Sequence, residues 1–373
     1  MKPILILAAA LSALPLFAEE AALKVPERPK VDLMLCLDAS NSMDALIASA
    51  KLKLWAIVSE MAKARPTPEL RVALLSYGNN GYDAGKGWVR LDCPFTTDLD
   101  GLSAKLDAVS TNGGDEYVAR VVTEAVNALE WTPSSKALKV IFVAGNEAAT
   151  QDPKFTLEKV FADAIAKGVQ VNTIYCGSPS DADASGWRTA AGLADGQFAC
   201  IDKDHGTVVV DAPQDAKLAE LSGKLNGTYL GYGANGRMRQ EAQEKGDRSA
   251  NSLAPSAAAE RSAAKAGACY RNGDWDLVDA CKDDKQMDLS KLKDEELPEE
   301  MRTLDAAGRQ AYVEQKAQER SQLQEEIRKL SQERTAYVRD EMKKQGLSED
   351  KSLDGAIRRA VRAQAERKGM RFD

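Results

Sequence analysis

The sequence predicts an α/β fold: a doubly wound, mostly parallel sheet, followed by an α-helical extension with coiled-coil character. Three observations carry this. Short apolar runs at 33–37, 70–77, 138–143 and 169–176 have the length and composition of strands buried on both faces. Between them lie stretches with apolar residues at helical spacing, and such alternation specifies a parallel sheet covered by helices on both sides. From Gly231 onward the composition turns to Arg, Gln, Glu, Lys and Ala, with too few aromatics for a second β core.

Residues 1–18 hold a single Lys2, an apolar run over 3–17, and then Glu19-Glu20. That is the layout of a secretory signal peptide cleaved after Ala18, although Leu16 departs from the small-x-small pattern. The run is shorter than the roughly 20 residues that span a bilayer. No Cys follows closely enough for a lipoprotein anchor, and no later stretch is apolar enough to cross a membrane. The expectation is an exported protein, periplasmic or extracellular and not membrane-spanning.

Across the 373 residues, 50 basic side chains stand against 57 acidic ones, a balance that gives no argument for nucleic acid. The single histidine, His205, sits in an Asp-His-Gly turn, and no Gly-x-Ser-x-Gly elbow occurs. Both points weigh against hydrolase chemistry, and the expected protein is not an enzyme. Six cysteines in an exported chain make disulfides permissible. Cys269 and Cys281, close in sequence and outside the sheet, form the favoured bridge.

The first strand ends abruptly on Asp38-Ala39-Ser40-Asn41-Ser42. A helix follows, with Leu46, Ala50, Leu54, Ile57 and Met61 as its apolar stripe. A carboxylate and two hydroxyls thus stand at the carboxyl end of a buried strand, where open α/β sheets bind ligands. Asp38, Ser40 and Ser42 offer hard oxygens that suit Mg²⁺, Mn²⁺ or Ca²⁺ better than zinc. The bland alternative is a helix cap, with Ser40 or Ser42 capping and Asp38 favoured by the dipole. The following elements are a strand at 70–77, a glycine-rich loop at 78–87, a shorter edge strand at 88–93, and helices at 98–109 and 117–129. A strand at 138–143, a helix at 156–167, a strand at 169–176, a helix at 185–194 and a strand at 197–201 come next. A helix at 215–225 closes the unit, placing a sheet domain at 30–233.

Asp38, Ser40 and Ser42 in this strand–loop–helix setting resemble the first loop of a von Willebrand factor A (VWA) domain, the core of a metal-ion-dependent adhesion site. The resemblance implies two further loops. Gly113-Gly114-Asp115-Glu116 places Asp115 where the family has a threonine, and Ala144-Gly145-Asn146-Glu147 places Gly145 where it has an aspartate. The implied ligand set is Asp38, Ser40, Ser42 and Asp115, the second carboxylate having moved between loops. Asn146 and Glu147 would reach the ion directly or through water. The resemblance also implies strand order 3-2-1-4-5-6. That order separates Cys36 from Cys93 by two strand spacings, beyond the ~7 Å limit on a disulfide's Cα separation. It leaves Cys176 and Cys200 on neighbouring strands, able to pair. Gly145-Asn146-Glu147-Ala148 and the 171–177 stretch are similar to an exported bacterial subgroup carrying this domain and a helical tail.

Residues 234–268 read as a linker, Ala/Ser-rich over 249–262 and interrupted by Pro255. Residues 269–373 read as a helical extension in which Trp275 and Leu277 form a small apolar plug. Its stripes, Leu297-Met301-Leu304 and Leu323-Ile327-Leu330-Tyr337, are two residues out of heptad register, with Arg334 in the intervening position, suggesting a break near Gly308. A last helix is expected at 353–368. The tail is either a coiled-coil arm that makes a homo-oligomer or grips a partner, or a hairpin folded back on the sheet domain. The resemblance implies a metal-dependent protein-binding protein, for adhesion or scaffolding. A partner's carboxylate would complete the ion, and the loops around Asn79, Asn112 and Asn146 would shape the contact. The alternative is a scaffold with a metal-free site that acts through its helical tail.

Overall fold

The computed structural model describes residues 28–201, 209–347 and 352–372. The expected signal peptide and His205 lie outside the described residues. The fold is α/β. Six strands form one sheet: β1 (Lys30–Asp38), β2 (Glu69–Tyr77), β3 (Val89–Thr96), β4 (Leu138–Gly145), β5 (Gln170–Cys176) and β6 (Phe198–Ile201). Their order is β3-β2-β1-β4-β5-β6, the expected 3-2-1-4-5-6, with β3 antiparallel and the other pairs parallel. β1 is central because it is apolar on both faces. Leu33, Leu35 and Leu37 enter one core, and Met34 and Cys36 enter the other.

One face carries α3 (Val118–Asn127), α4 (Leu157–Ala166) and α5 (Ala184–Leu193), whose apolar stripes pack on Met34, Ile141 and Val143. The other face carries α1 (Asp44–Ala62) and α2 (Leu99–Asp107). Beyond its expected stripe, α1 also buries Ile47, Trp55 and Val58. The second set is covered by helices from the C-terminal third. α8 (Pro255–Ala266) sets Arg261 over the Trp55 ring, 4.4 Å from its centroid, and Glu260 against Lys53. α11 (Leu353–Arg367) pairs Arg362 with Glu60.

α11 lies on the sheet itself, against β4, β5 and β6, with Leu353, Ile357, Val361 and Ala365 in the main core. Asn172 on β5 and Gln364 exchange two buried amide hydrogen bonds of 3.1 and 2.8 Å. The helix expected to close the unit, α6 (Asp215–Asn226), instead packs mainly on α8 and α10 (Ala306–Lys344). Residues 234–268, expected as a linker, form α7 (Gly236–Leu253) and α8. Alanine and serine there serve as small contact residues: Ala259, Ala264 and Ser262 are all fully buried.

The two stripes of the tail serve two different cores, which is why they break register. Leu297, Met301 and Val313 join Leu230, α9 (Leu277–Asp283) and Leu289 in a small third cluster. Ile327, flanked by Leu323 and Leu330, joins the main core. The break itself is the N-cap of α10, where Asp305 accepts from Gly308 N–H at 2.7 Å. Arg334 occupies its intervening position to pair with Asp215. The coiled-coil seam expected from the sequence is therefore used within the chain, as in the folded-back reading.

All six cysteines are free thiols. The expected Cys269–Cys281 bridge is not formed: Cys269 Sγ lies 3.9 Å from Pro68 O, and Cys281 Sγ lies 3.9 Å from Met287 Sδ. The register sets Cys200 beside Tyr175, so Cys176 and Cys200 face opposite sides of the sheet. Cys36 and Cys93 likewise belong to opposite cores. No helix among the described residues is long and apolar enough to cross a membrane.

Candidate metal centre

Four loops meet at the carboxyl end of β1. The first turns sharply at Asp38, which is fully buried and accepts from Ser40 N–H at 2.8 Å through Oδ1. Ser40 occupies the cap position of the single 3-10 turn Asn41–Met43, but its side chain makes no capping bond. The expected helix-cap role is thus not taken up by its hydroxyl. Ser40 Oγ instead meets Ser42 Oγ at 3.1 Å, and Ser42 Oγ donates to Asn146 Oδ1 at 3.2 Å. A chain of oxygens runs from the first loop to the third.

Asp38 Oδ2 is buried and has no hydrogen-bond partner. A carboxylate oxygen away from water without a donor is costly. Burial first, with Glu116 and Glu147 nearby, pushes the Asp38 carboxyl up to about 7.

Asp115 is not part of this cluster. Its Oδ2 accepts from Trp88 Nε1 at 3.3 Å and from Tyr117 Oη at 3.0 Å, which turns the side chain outward to an aromatic rim. The neighbouring Glu116 points inward. Desolvation first, with Glu147 and Asp115 adding, pushes its carboxyl up to about 7. Room for it comes from Gly78, which has a left-handed φ of 76°; a Cβ there would lie 2.7 Å from Glu116 Cγ and 2.9 Å from Asp38 Oδ1. After two glycines the loop's register is open, and the available signal was a second carboxylate adjacent to the first.

The third loop differs for a steric reason. A Cβ on Gly145 would meet the Tyr77 hydroxyl at 2.5 Å and Asp38 Oδ2 at 3.0 Å. Tyr77 is fully buried and donates to Ala144 O at 3.0 Å, so its hydroxyl is held in that space. Glu147 lies near enough to raise both other carboxyls, while its backbone carbonyl accepts from Trp187 Nε1 at 2.7 Å.

Of the loop asparagines, Asn79 ties loops together rather than facing outward. It is buried, donates to Ser110 O at 2.9 Å, and accepts from Gly81 N–H at 2.9 Å. Asn112 is exposed on the rim. Asp38, Ser40, Ser42, Asn146 and Glu116 are thus brought together as an all-oxygen set, and an oxygen set of mixed charge fits a hard divalent cation. Among the described residues, no group of three or more His, Cys, Asp or Glu is close enough to hold a metal by carboxylates, thiols and imidazoles alone. The hydroxyls and the amide are what complete the set.

No protein-family model and no curated protein matches the chain. Solved structures that resemble it include VWA domains. The SpRpn10 VWA domain is 15% identical with a TM-score of 0.35, over 47% of this chain and 89% of that one. A von Willebrand factor type A protein from Catenulispora acidiphila is 15% identical with a TM-score of 0.36, over 48% of this chain and 40% of that one. Proximal thread matrix protein 1 from the mussel byssus, described with a zinc-occupied MIDAS motif, is 15% identical with a TM-score of 0.35, over 48% of this chain and 43% of that one. This chain matches less than half the length of the last two.

Proposed function

We propose that this is an exported, non-enzymatic protein-binding module for adhesion or scaffolding, which holds a divalent cation, Mg²⁺, Mn²⁺ or Ca²⁺, at Asp38, Ser40 and Ser42. The observation that supports it is the buried, unpartnered Asp38 Oδ2 beneath two hydroxyls at the end of the central strand. A cation at that point supplies a positive charge that fixes the loops and accepts a further oxygen, such as a carboxylate of the partner. The loops on this face, 38–44, 78–88, 110–117, 145–156 and 177–183, carry nine acidic residues and two lysines. Such a face favours a partner whose contact surface is otherwise basic, with association that weakens as salt rises.

A second reading is favoured by the direct Ser42–Asn146 hydrogen bond, which closes first and third loops on each other. In that reading the site is metal-free, and the protein is a scaffold acting through its helical C-terminal third.

The test combines two measurements. Millimolar Mn²⁺ or Mg²⁺ is expected to raise the melting temperature, since a ligand of the native state stabilises it by about 2.7 kcal/mol at 100 times its Kd. Pull-downs from the native host are expected to lose their partner with chelator and with Asp38→Asn. A partner that is retained under both conditions, with no thermal shift, supports the scaffold reading instead.

A further inference from the structure

We propose that Glu116 supplies the second carboxylate of the cation site, and that Asp115 has no part in holding the ion. This deepens the metal-dependent reading above and rests on it.

Two independent features converge. Asp38 Oδ2 is an unpartnered, fully buried carboxylate oxygen, a position that a cation or a proton satisfies. Glu116 arrives from a different loop, its side chain laid across Gly78, so that Gly78 is the shared floor of both carboxylates. Glu116 therefore brings a second carboxylate beside Asp38.

Two alternatives for a second charge, at positions 145 and 115, are closed by geometry. Position 145 is filled by the Tyr77 hydroxyl. Asp115 is turned to the rim by two donors on one oxygen, Trp88 Nε1 and Tyr117 Oη. Two carboxylates, two hydroxyls and an amide oxygen form a hard donor set, which takes Ca²⁺, Mn²⁺ or Mg²⁺ in preference to a thiolate-seeking metal.

The test is Mn²⁺ titration of the full chain by calorimetry, with folding of each variant checked by circular dichroism. Glu116→Gln is expected to weaken Mn²⁺ binding about 10- to 100-fold, the range typical of partners that orient and charge a metal site. Glu116→Ser, which removes the charge without introducing an amide, is expected to match it. Asp115→Asn is expected to stay within about twofold of the parent, on the same argument. Asp38→Asn is expected to abolish binding. Parent binding that survives both Glu116 substitutions, or that falls as far with Asp115→Asn, overturns the assignment of Glu116 while leaving the metal-dependent reading intact. A parent that takes up no Mn²⁺ overturns both.

Discussion

The Tyr77 hydroxyl lies 2.5 Å from where a Cβ on Gly145 would stand, so a tyrosine at one position dictates glycine at the other. Both groups border Asp38: the same Cβ would be 3.0 Å from its Oδ2. The departure in the third loop is thus a packing consequence of β2, and the charge missing there is found on Glu116.

Restoring an aspartate to the third loop is therefore expected to fail. Gly145→Asp forces a side chain into occupied space, and overpacking of this kind costs about 1–3 kcal/mol or more. Tyr77→Phe combined with Gly145→Asp removes the obstructing oxygen and is expected to be more stable than the sum of the single changes, because the positions share one space. Urea denaturation of the two single variants and the double variant measures this. Strict additivity would show that the hydroxyl is not the obstacle.

The pH dependence of the metal-free protein has a definite sign. Asp38 and Glu116 are both raised to about 7 in the folded chain, whereas an unfolded carboxyl ionises near pH 4. Between those values the folded state keeps protons that the unfolded state has released, so stability falls as pH rises from about 4 to about 7 and then levels off. In chelator, melting temperatures across that window are expected to decline more steeply for the parent than for Asp38→Asn. Parallel curves would remove Asp38 from the account.

Arg320 on α10 is 4% exposed and binds Asp276 through both carboxylate oxygens, at 2.6 and 3.0 Å. It also donates to Thr228 O at 2.6 Å and lies 4.0 Å from the Tyr229 ring centroid. Arg320→Ala leaves Asp276, which is fully buried, without its counter-charge. Loss of one member of a buried pair costs about 3–5 kcal/mol. Chemical denaturation is expected to show that loss, with Asp276→Asn in the Arg320→Ala background recovering part of it.

Truncation tests whether the tail belongs to the core. Removing residues 306–373 uncovers α1 and strips α11 from β4, β5 and β6. The truncated chain is expected to be insoluble or molten, with 1-anilinonaphthalene-8-sulfonate bound at its exposed surface. The milder Ile357→Ala, at a fully buried position, is expected to cost about 2–5 kcal/mol. A truncated chain that melts cooperatively near the parent would show that the sheet unit stands without the tail.

Charge and hydrophobic period made much of this protein legible before any coordinates. Runs such as 138–143 have the length and β-branched, aromatic composition of a doubly buried strand, and Asp38, Ser40 and Ser42 are placed by the strand that ends beneath them. The direction of a loop carboxylate after two glycines has no such periodic signal, so choosing Glu116 over Asp115 required the Trp88 and Tyr117 contacts that hold Asp115 outward. The same holds for the tail. Its stripes announced helices, but one apolar stripe fits a partner chain or the chain's own sheet equally well. The second buried set on α1, Ile47, Trp55 and Val58, was the trace of that docking in the sequence. Only the tertiary structure, by covering that set with α8 and α11, decided that the tail serves its own core.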